Sequence, residues 1–383
     1  MAKKPSTVKA KAATPAPEEA LENAARVAVR DSLKIQPEEK VLIITNPSEE
    51  VSRISWALHD AAAEAGARVV LIYQPVKTQF DFCSEEVIAA LKTSPHVVMS
   101  LSAERLGKDK EAIQKPYREG EHSYDSIFHY LLHGKKSLRG FWSPRVTADS
   151  FIRTVPVDYV RMRLECLRVK EILDDAVSLQ VTNENGTDIS FSVAGRLAFT
   201  DDGNFSTPGK GGNLPAGETF ISPLVGSAAG RIVFDGSICA RQGEILIKTP
   251  ITVHVSEGFV KDIEGKEEAK ELFETIRMGE EKALALQKEN KLPEESVSDY
   301  VHNARNIGEL GIGLNPNAKI TGNMLEDEKA YHTCHFAIGS NYDDDAPALI
   351  HLDGLVSRPT IAVTFSSGLV QEIMRDGDLV GLR

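Results

Sequence analysis

Cysteine is scarce and scattered: Cys83, Cys166, Cys239 and Cys334 are the four in 383 residues, and no two form a CxxC pair. That spacing argues against a zinc knuckle or a disulfide framework and fits a reducing, cytoplasmic setting. Basic charge is also in short supply. The 44 Lys and Arg stand against 56 Asp and Glu, a net charge of −12, which argues against a general nucleic-acid binder because neutralising phosphates needs a basic surface. No apolar run approaches the length of a membrane span, and Met1 to Pro17 lacks the apolar segment of a secretory signal. That leader, MAKKPSTVKAKAATPAP, has a Lys/Ala/Pro composition that predicts a disordered tail over residues 1–19. Glycine is missing where a dinucleotide would need it, since the turn after the first expected strand reads TNPSEEVS. The GKGG segment lacks the spacing of a phosphate loop, and no internal repeat is found.

What remains is patterned, and the length predicts two domains. From Ala20 a helix to about Leu33 is followed by VLIIT (Val41 to Thr45), a helix from about Ser52 to Ala65, and RVVLIY (Arg68 to Tyr73). SEEVIAALKTS then reads as a helix and HVVMSLS as a strand. Apolar strands alternating with amphipathic helices predict an open, parallel-sheet α/β domain over 20–170. Beyond it the period shortens to two: SLQVTN, the turn ENGTD and ISFSVAG form a hairpin pattern that later segments continue. KEEAKELFETIRMGEEKALALQKEN is a helical interlude. Residues 171–383 therefore predict a mainly antiparallel β domain with inserted helices.

Three strand-like segments of this second domain carry metal-type ligands within the 46 residues from Gly308 to Asp353. Alternation puts Glu309 on one face with Gly311 and Gly313, and His335 with Ala337 and Gly339, so that small neighbours leave room for a bound group. In HLDG the i, i+2 spacing aims His351 and Asp353 the same way. Upstream, Glu218 emerges from the turn GKGGNLPAGETF where a strand begins. Glu218, Glu309 and Asp353 with a bound hydroxide carry four negative charges, which two divalent cations would balance. Cys334 falls on the opposite face from His335 and reads as a small core residue; His332 reads as peripheral.

The motifs GNLPAGE, GELGIGLNP, HFAIGSNY and HLD resemble those of the metal-dependent aminopeptidases of the aminopeptidase T and aminopeptidase S type. The resemblance implies that Glu218, Glu309, His335, Tyr342, His351 and Asp353 bind two divalent ions, zinc by default with cobalt or manganese as activators. It implies an aminopeptidase in which a metal-bound hydroxide attacks the first peptide carbonyl, with Glu218 bridging or acting as base, Glu309 as second choice for that role, and Tyr342 assisting the oxyanion. It also implies a homodimer acting on small peptides. The link from Tyr342 to His351 holds only eight residues, DDDAPALI, shorter than in the aminopeptidases. Its acidic run, Asp343 to Asp345, either receives a substrate ammonium at the mouth of the site or is a solvated loop.

A second reading stays open within the same superfamily. His335, His351 and Asp353 alone form a two-histidine, one-carboxylate set suited to a single Fe(II), and the short chain is also similar to the 2,5-dihydroxypyridine 5,6-dioxygenases, which cleave rings. A third reading, a catalytically silent protein with the inherited fold, is disfavoured by an undegraded ligand set.

Overall fold

The computed structural model describes residues 17–78, 81–241, 243–289 and 292–381. The tail expected over 1–19 lies outside the described residues as far as residue 16, and a helix begins at Pro17. Proline at the first helical position and acids in the first turn, Glu18 and Glu19, favour a helix start there.

The first sheet is parallel throughout. Its order is 211–213, 139–144, 97–102, 40–45, 68–73. Val97–Ser102 is buried along its whole length, as an inner strand covered on both faces must be. Val41 and Ile43 point into one apolar layer with Ile54 and Leu58 of the helix Glu49–Glu64, while Leu42 and Ile44 point into another with Val87 and Leu91 of the helix Glu85–Lys92. The edge strand Gly211–Asn213 comes from the segment that reads as a turn in sequence, inside the span expected to be the second domain. It is held beside the strand Arg139–Pro144 by Asn213, whose side-chain amide donates to the Trp142 carbonyl at 3.0 Å. The two halves of the chain thus share a sheet.

The rest of the chain forms two antiparallel sheets. One has the order 243–246, 237–240, 351–357, 333–339, 307–313, 218–221, 199–201; the other runs 259–264, 251–256, 229–234, 188–192, 176–182, 360–365, 370–375, 378–379. The hairpin expected around ENGTD is present, with Ala176–Thr182 paired to Asp188–Ser192. The helical interlude is the helix Glu267–Lys288. Cys334, Phe336 and Ile338 are fully buried in the shared core. Phe336 meets Phe191 of the other sheet edge to face, ring centres 6.1 Å apart. Gly354 lies against Phe234; a Cβ there would come within 2.6 Å of that ring. Even-numbered residues of the strand Thr333–Gly339 therefore build the interior, leaving the odd-numbered ones for the opposite face. His332 sits outside this core, its Nδ1 3.0 Å from the Asp378 carboxylate.

Phe336→Ala should lower stability by about 3–5 kcal/mol through the lost contact area and the cavity it leaves. The check is the midpoint of urea unfolding; an unchanged midpoint would mean that the two sheets do not rely on this contact.

Candidate metal centre

Strand register assembles the site. Glu309 lies opposite Ala337 and Ala337 opposite Asp353; Gly311 lies opposite His335; Gly339 lies opposite His351; Glu218 lies opposite Gly313. Residues opposed across neighbouring strands share a face, so Glu218, Glu309, His335, His351 and Asp353 all project from one side of the sheet. The small residues among them serve a different purpose from the one expected. A Cβ on Gly311 would stand 2.1 Å from Cε1 and Nε2 of His335, so the space above this glycine is filled by the protein's own imidazole. Gly313 likewise makes way for the Ala330 backbone.

The side chains form a string of close polar contacts. His351 Nε2 lies 3.0 Å from Glu309 Oε2 and 3.3 Å from Asp353 Oδ1. Its Nδ1 is 2.9 Å from the Ser340 carbonyl oxygen, which can only accept, so Nδ1 carries the proton and Nε2 is the atom presented to the carboxylates. His335 Nε2 is 3.4 Å from Glu309 Oε1 and 3.8 Å from Glu218 Oε2. Glu309, His351 and Asp353 bring one ligand atom each within 4.8 Å of one another. His335 is outside that group, so the tightest trio has one histidine and two carboxylates, in place of the two-histidine set expected for Fe(II). Asp353 Oδ1 and Glu218 Oε2 are buried without a hydrogen bond, a costly state unless a cation or solvent completes them.

Electrostatics divides the acids. Burial works against ionisation of Glu309, yet the two imidazoles outweigh it and hold its carboxyl down, at about 2. Burial disfavours a charged His335, but Glu309 prevails and raises the imidazole to about 9. His351 is held protonated well above the ordinary range by Asp353 and Glu309 despite its burial. Glu218 goes the other way: burial raises it to about 8 although an ammonium lies beside it.

That ammonium belongs to Lys329, a residue that sequence reasoning passed over. Its side chain is fully buried, with Nζ 2.5 Å from Glu218 Oε1, 2.6 Å from Glu328 Oε1 and 3.4 Å from Asp201 Oδ2. In EDEKAYH it reads as one charge among several on a surface turn. Tyr342 stands at the rim, half-exposed, with its ring 4.9 Å from Phe220 and 5.4 Å from His351; among the described residues its hydroxyl has no hydrogen-bond partner. The acidic run is turned elsewhere: Asp343 and Asp345 pair with Arg196 at 3.4 and 2.7 Å.

A cavity of about 810 Å³ reaches His351, Asp353 and Glu328 from the first sheet. It opens at the carboxyl ends of the parallel strands, at Ser102, Trp142, Pro144 and Asn213, where open α/β sheets commonly receive ligands. Arg105, Lys108, Phe128 and His129 complete its wall, and none of Asp343, Asp344 and Asp345 lines it. Of the site residues expected from sequence, His351 and Asp353 alone line this chamber, and most of its wall carried no site signal.

Two solved structures share the fold over nearly their whole length. The 2,5-dihydroxypyridine dioxygenase from Pseudomonas putida KT2440 matches with a TM-score of 0.68 and 19% identity, covering 96% of this chain and 99% of its own. AmpT from Thermus thermophilus matches with a TM-score of 0.62 and 16% identity, covering 96% of this chain and 100% of its own. No curated protein matches the sequence. The family model described as NicX, 2,5-dihydroxypyridine 5,6-dioxygenase, matches residues 147–341, a span that carries Glu218, Glu309 and His335. With half of its length inside that model, this chain belongs to the 2,5-dihydroxypyridine 5,6-dioxygenase family.

Proposed function

We propose that the protein is a single-metal, ring-opening dioxygenase acting on a hydroxylated aromatic nitrogen heterocycle, with 2,5-dihydroxypyridine as the reference substrate. The observation that carries this reading is the character of the cavity. Most of its charged groups are satisfied within the protein: Arg145 pairs with Glu244, His129 lies 3.5 Å from Asp125, and Glu328 meets Lys329. Asp109 accepts from the backbone N–H groups of Glu111, Ala112 and Ile127. Arg105 and Lys108 remain, and among the described residues neither has an ion-pair partner. Phe128 and Trp142 add ring faces, in edge contact at 5.8 Å. Two cations and two aromatic side chains suit a flat, electron-rich anionic ring. They disfavour the α-ammonium that a peptide would bring.

Glu309, His351 and Asp353 fit one divalent ion, because the Nε2 edge of a fixed imidazole and two carboxylates converge, Asp353 Oδ1 accepts no hydrogen bond, and a bound ion would take the place of the Nε2 proton. The imidazole is a ligand type that suits iron, and the two carboxylates suit manganese. The ion, when bound, supplies the redox chemistry that lets oxygen react with the ring. The chain does the rest. Ser340 fixes the His351 tautomer, Trp142 and Phe128 orient the ring, Arg105 and Lys108 balance its negative charge, and His129, backed by Asp125, can take the proton from a ring hydroxyl.

A second reading keeps the metallo-aminopeptidase with two zinc, cobalt or manganese ions. Its support is the unbroken string of contacts that joins Glu218, His335, Glu309, His351 and Asp353. Of the three acids beside Tyr342, Asp343 and Asp345 are engaged by Arg196, which leaves Asp344 to meet a substrate ammonium.

Protein purified without chelator should contain about one iron or manganese per chain, and His351→Ala or Asp353→Ala should lose that ion while keeping the far-ultraviolet spectrum. Full metal content in either variant would remove the trio from the site. With 2,5-dihydroxypyridine, the loaded enzyme should consume oxygen. Release of amino acids from a free-amino peptide, with no oxygen uptake on the ring substrate, would return the assignment to the peptidase. Replacing Arg105 and Lys108 together with Gln should raise KM for the ring anion about tenfold or more with kcat little changed; a fall in kcat alone would show that these cations do not bind substrate.

A further inference from the structure

We propose that Lys329 is a built-in counter-ion that occupies the place of a second metal ion beside Glu218, and so limits the centre to one ion. The inference deepens the single-metal reading and rests on it for the wild-type count.

The geometry is that of a cation site filled by a side chain. Lys329 is fully buried, and its ammonium is met by three carboxylates from three elements: Glu218 at 2.5 Å, Glu328 at 2.6 Å and Asp201 at 3.4 Å. Glu218 and Asp201 come from neighbouring paired strands, where the two residues stand directly opposite. Glu328 reaches in from the turn that also carries the lysine. Each of the two strand acids retains a buried oxygen with no hydrogen-bond partner, Glu218 Oε2 and Asp201 Oδ1. Glu218 Oε2 points toward His335, 3.8 Å away. Three carboxylates with an imidazole alongside would make a complete ligand set for a divalent ion if the ammonium were not there.

Two consequences follow from electrostatics. A metal ion bound at Glu218 would stand within a few ångströms of the ammonium, and like charges at that separation in a buried site repel strongly. The lysine also engages the Glu218 oxygen that faces away from His335, leaving the other to act on that imidazole. Glu218 is then a positioning residue acting through His335, and the sequence-based role as a bridging ligand would require the ammonium to leave.

The test is metal stoichiometry by mass spectrometry after dialysis against Mn²⁺ or Zn²⁺, with calorimetric titration of the same ions. Lys329→Met keeps the stem and removes the charge, and Lys329→Ala opens more space; either should bind one ion more per chain than the wild type. Lys329→Arg, which keeps a cation, should show no increase, and adding Glu218→Gln to Lys329→Met should abolish the extra ion. A count that stays the same in both folded charge-removal variants would overturn the proposal, as would an extra ion that survives the Glu218 change. Because the readout is a difference, it separates from the one-metal reading: a wild type with no ion sinks that reading, while a gain of one on removing the ammonium still supports Lys329. A wild type already holding two ions, one of them at Glu218, sinks both.

Discussion

Everything at this centre depends on register. Three neighbouring antiparallel strands place Glu309, Ala337 and Asp353 in one row and Gly311 and His335 in the next, so functional groups separated by tens of residues converge because the pleat has a period of two. A slip of one residue in any strand would send its ligands into the sandwich core and bring Cys334 or Phe336 to the site face. The core guards against that. Phe336 and Gly354 fit the opposing Phe191 and Phe234 only in the observed register, and the chemistry on one face is therefore fixed by packing on the other.

The same sheet concentrates more charge than burial favours. Glu218 has its proton affinity raised in the folded chain, so over the pH range between its ordinary value of 4.5 and its folded value of about 8 the unfolded chain releases that proton more readily, and ionisation there opposes folding. Glu309 has the opposite sign: with its folded value near 2, its contribution is present above the ordinary carboxylate range and is lost only as the pH falls through that value. One half of the string is thus a favourable acid–imidazole arrangement and the other an acid cluster held by a lysine. A chain selected for stability alone would replace such buried ions with apolar groups at little cost. Their presence is better explained by what they hold.

The legible part of the site was the part written in strand motifs. Alternation in short apolar segments predicts that Glu309, His335, His351 and Asp353 share a face, as the register has them, and the parallel and antiparallel halves of the fold follow from the change of period near residue 170. What alternation does not encode is pairing between distant segments. Gly211–Asn213 looked like a turn because glycine and proline surround it, yet it joins the parallel sheet through a neighbour about seventy residues earlier in the chain. Lys329 was hidden for a related reason: a lysine flanked by acids carries no sign of burial until Asp201 and Glu218 are brought around it. For the acidic run beside Tyr342, adjacency to ligand strands leaves both a place at the mouth of the site and a solvated loop open, and it does not encode Arg196, from elsewhere in the chain, which pairs with two of the three acids.

That edge strand also explains why the cavity has the composition it does. The edge strand extends the parallel sheet with a piece of the later sequence, and the carboxyl ends of Val97–Ser102 and Arg139–Pro144 line one cavity with His351 and Asp353. The metal-type ligands then come from one sheet and the aromatic and cationic wall from another. Such a division lets the two evolve separately: loops after the parallel strands can change the shape, charge or size that is accepted while the antiparallel register keeps the ligands in place. A fold shared with both a 2,5-dihydroxypyridine dioxygenase and AmpT is what this architecture allows, and Arg105, Lys108, Phe128 and Trp142 stand on the wall that such loops are free to vary.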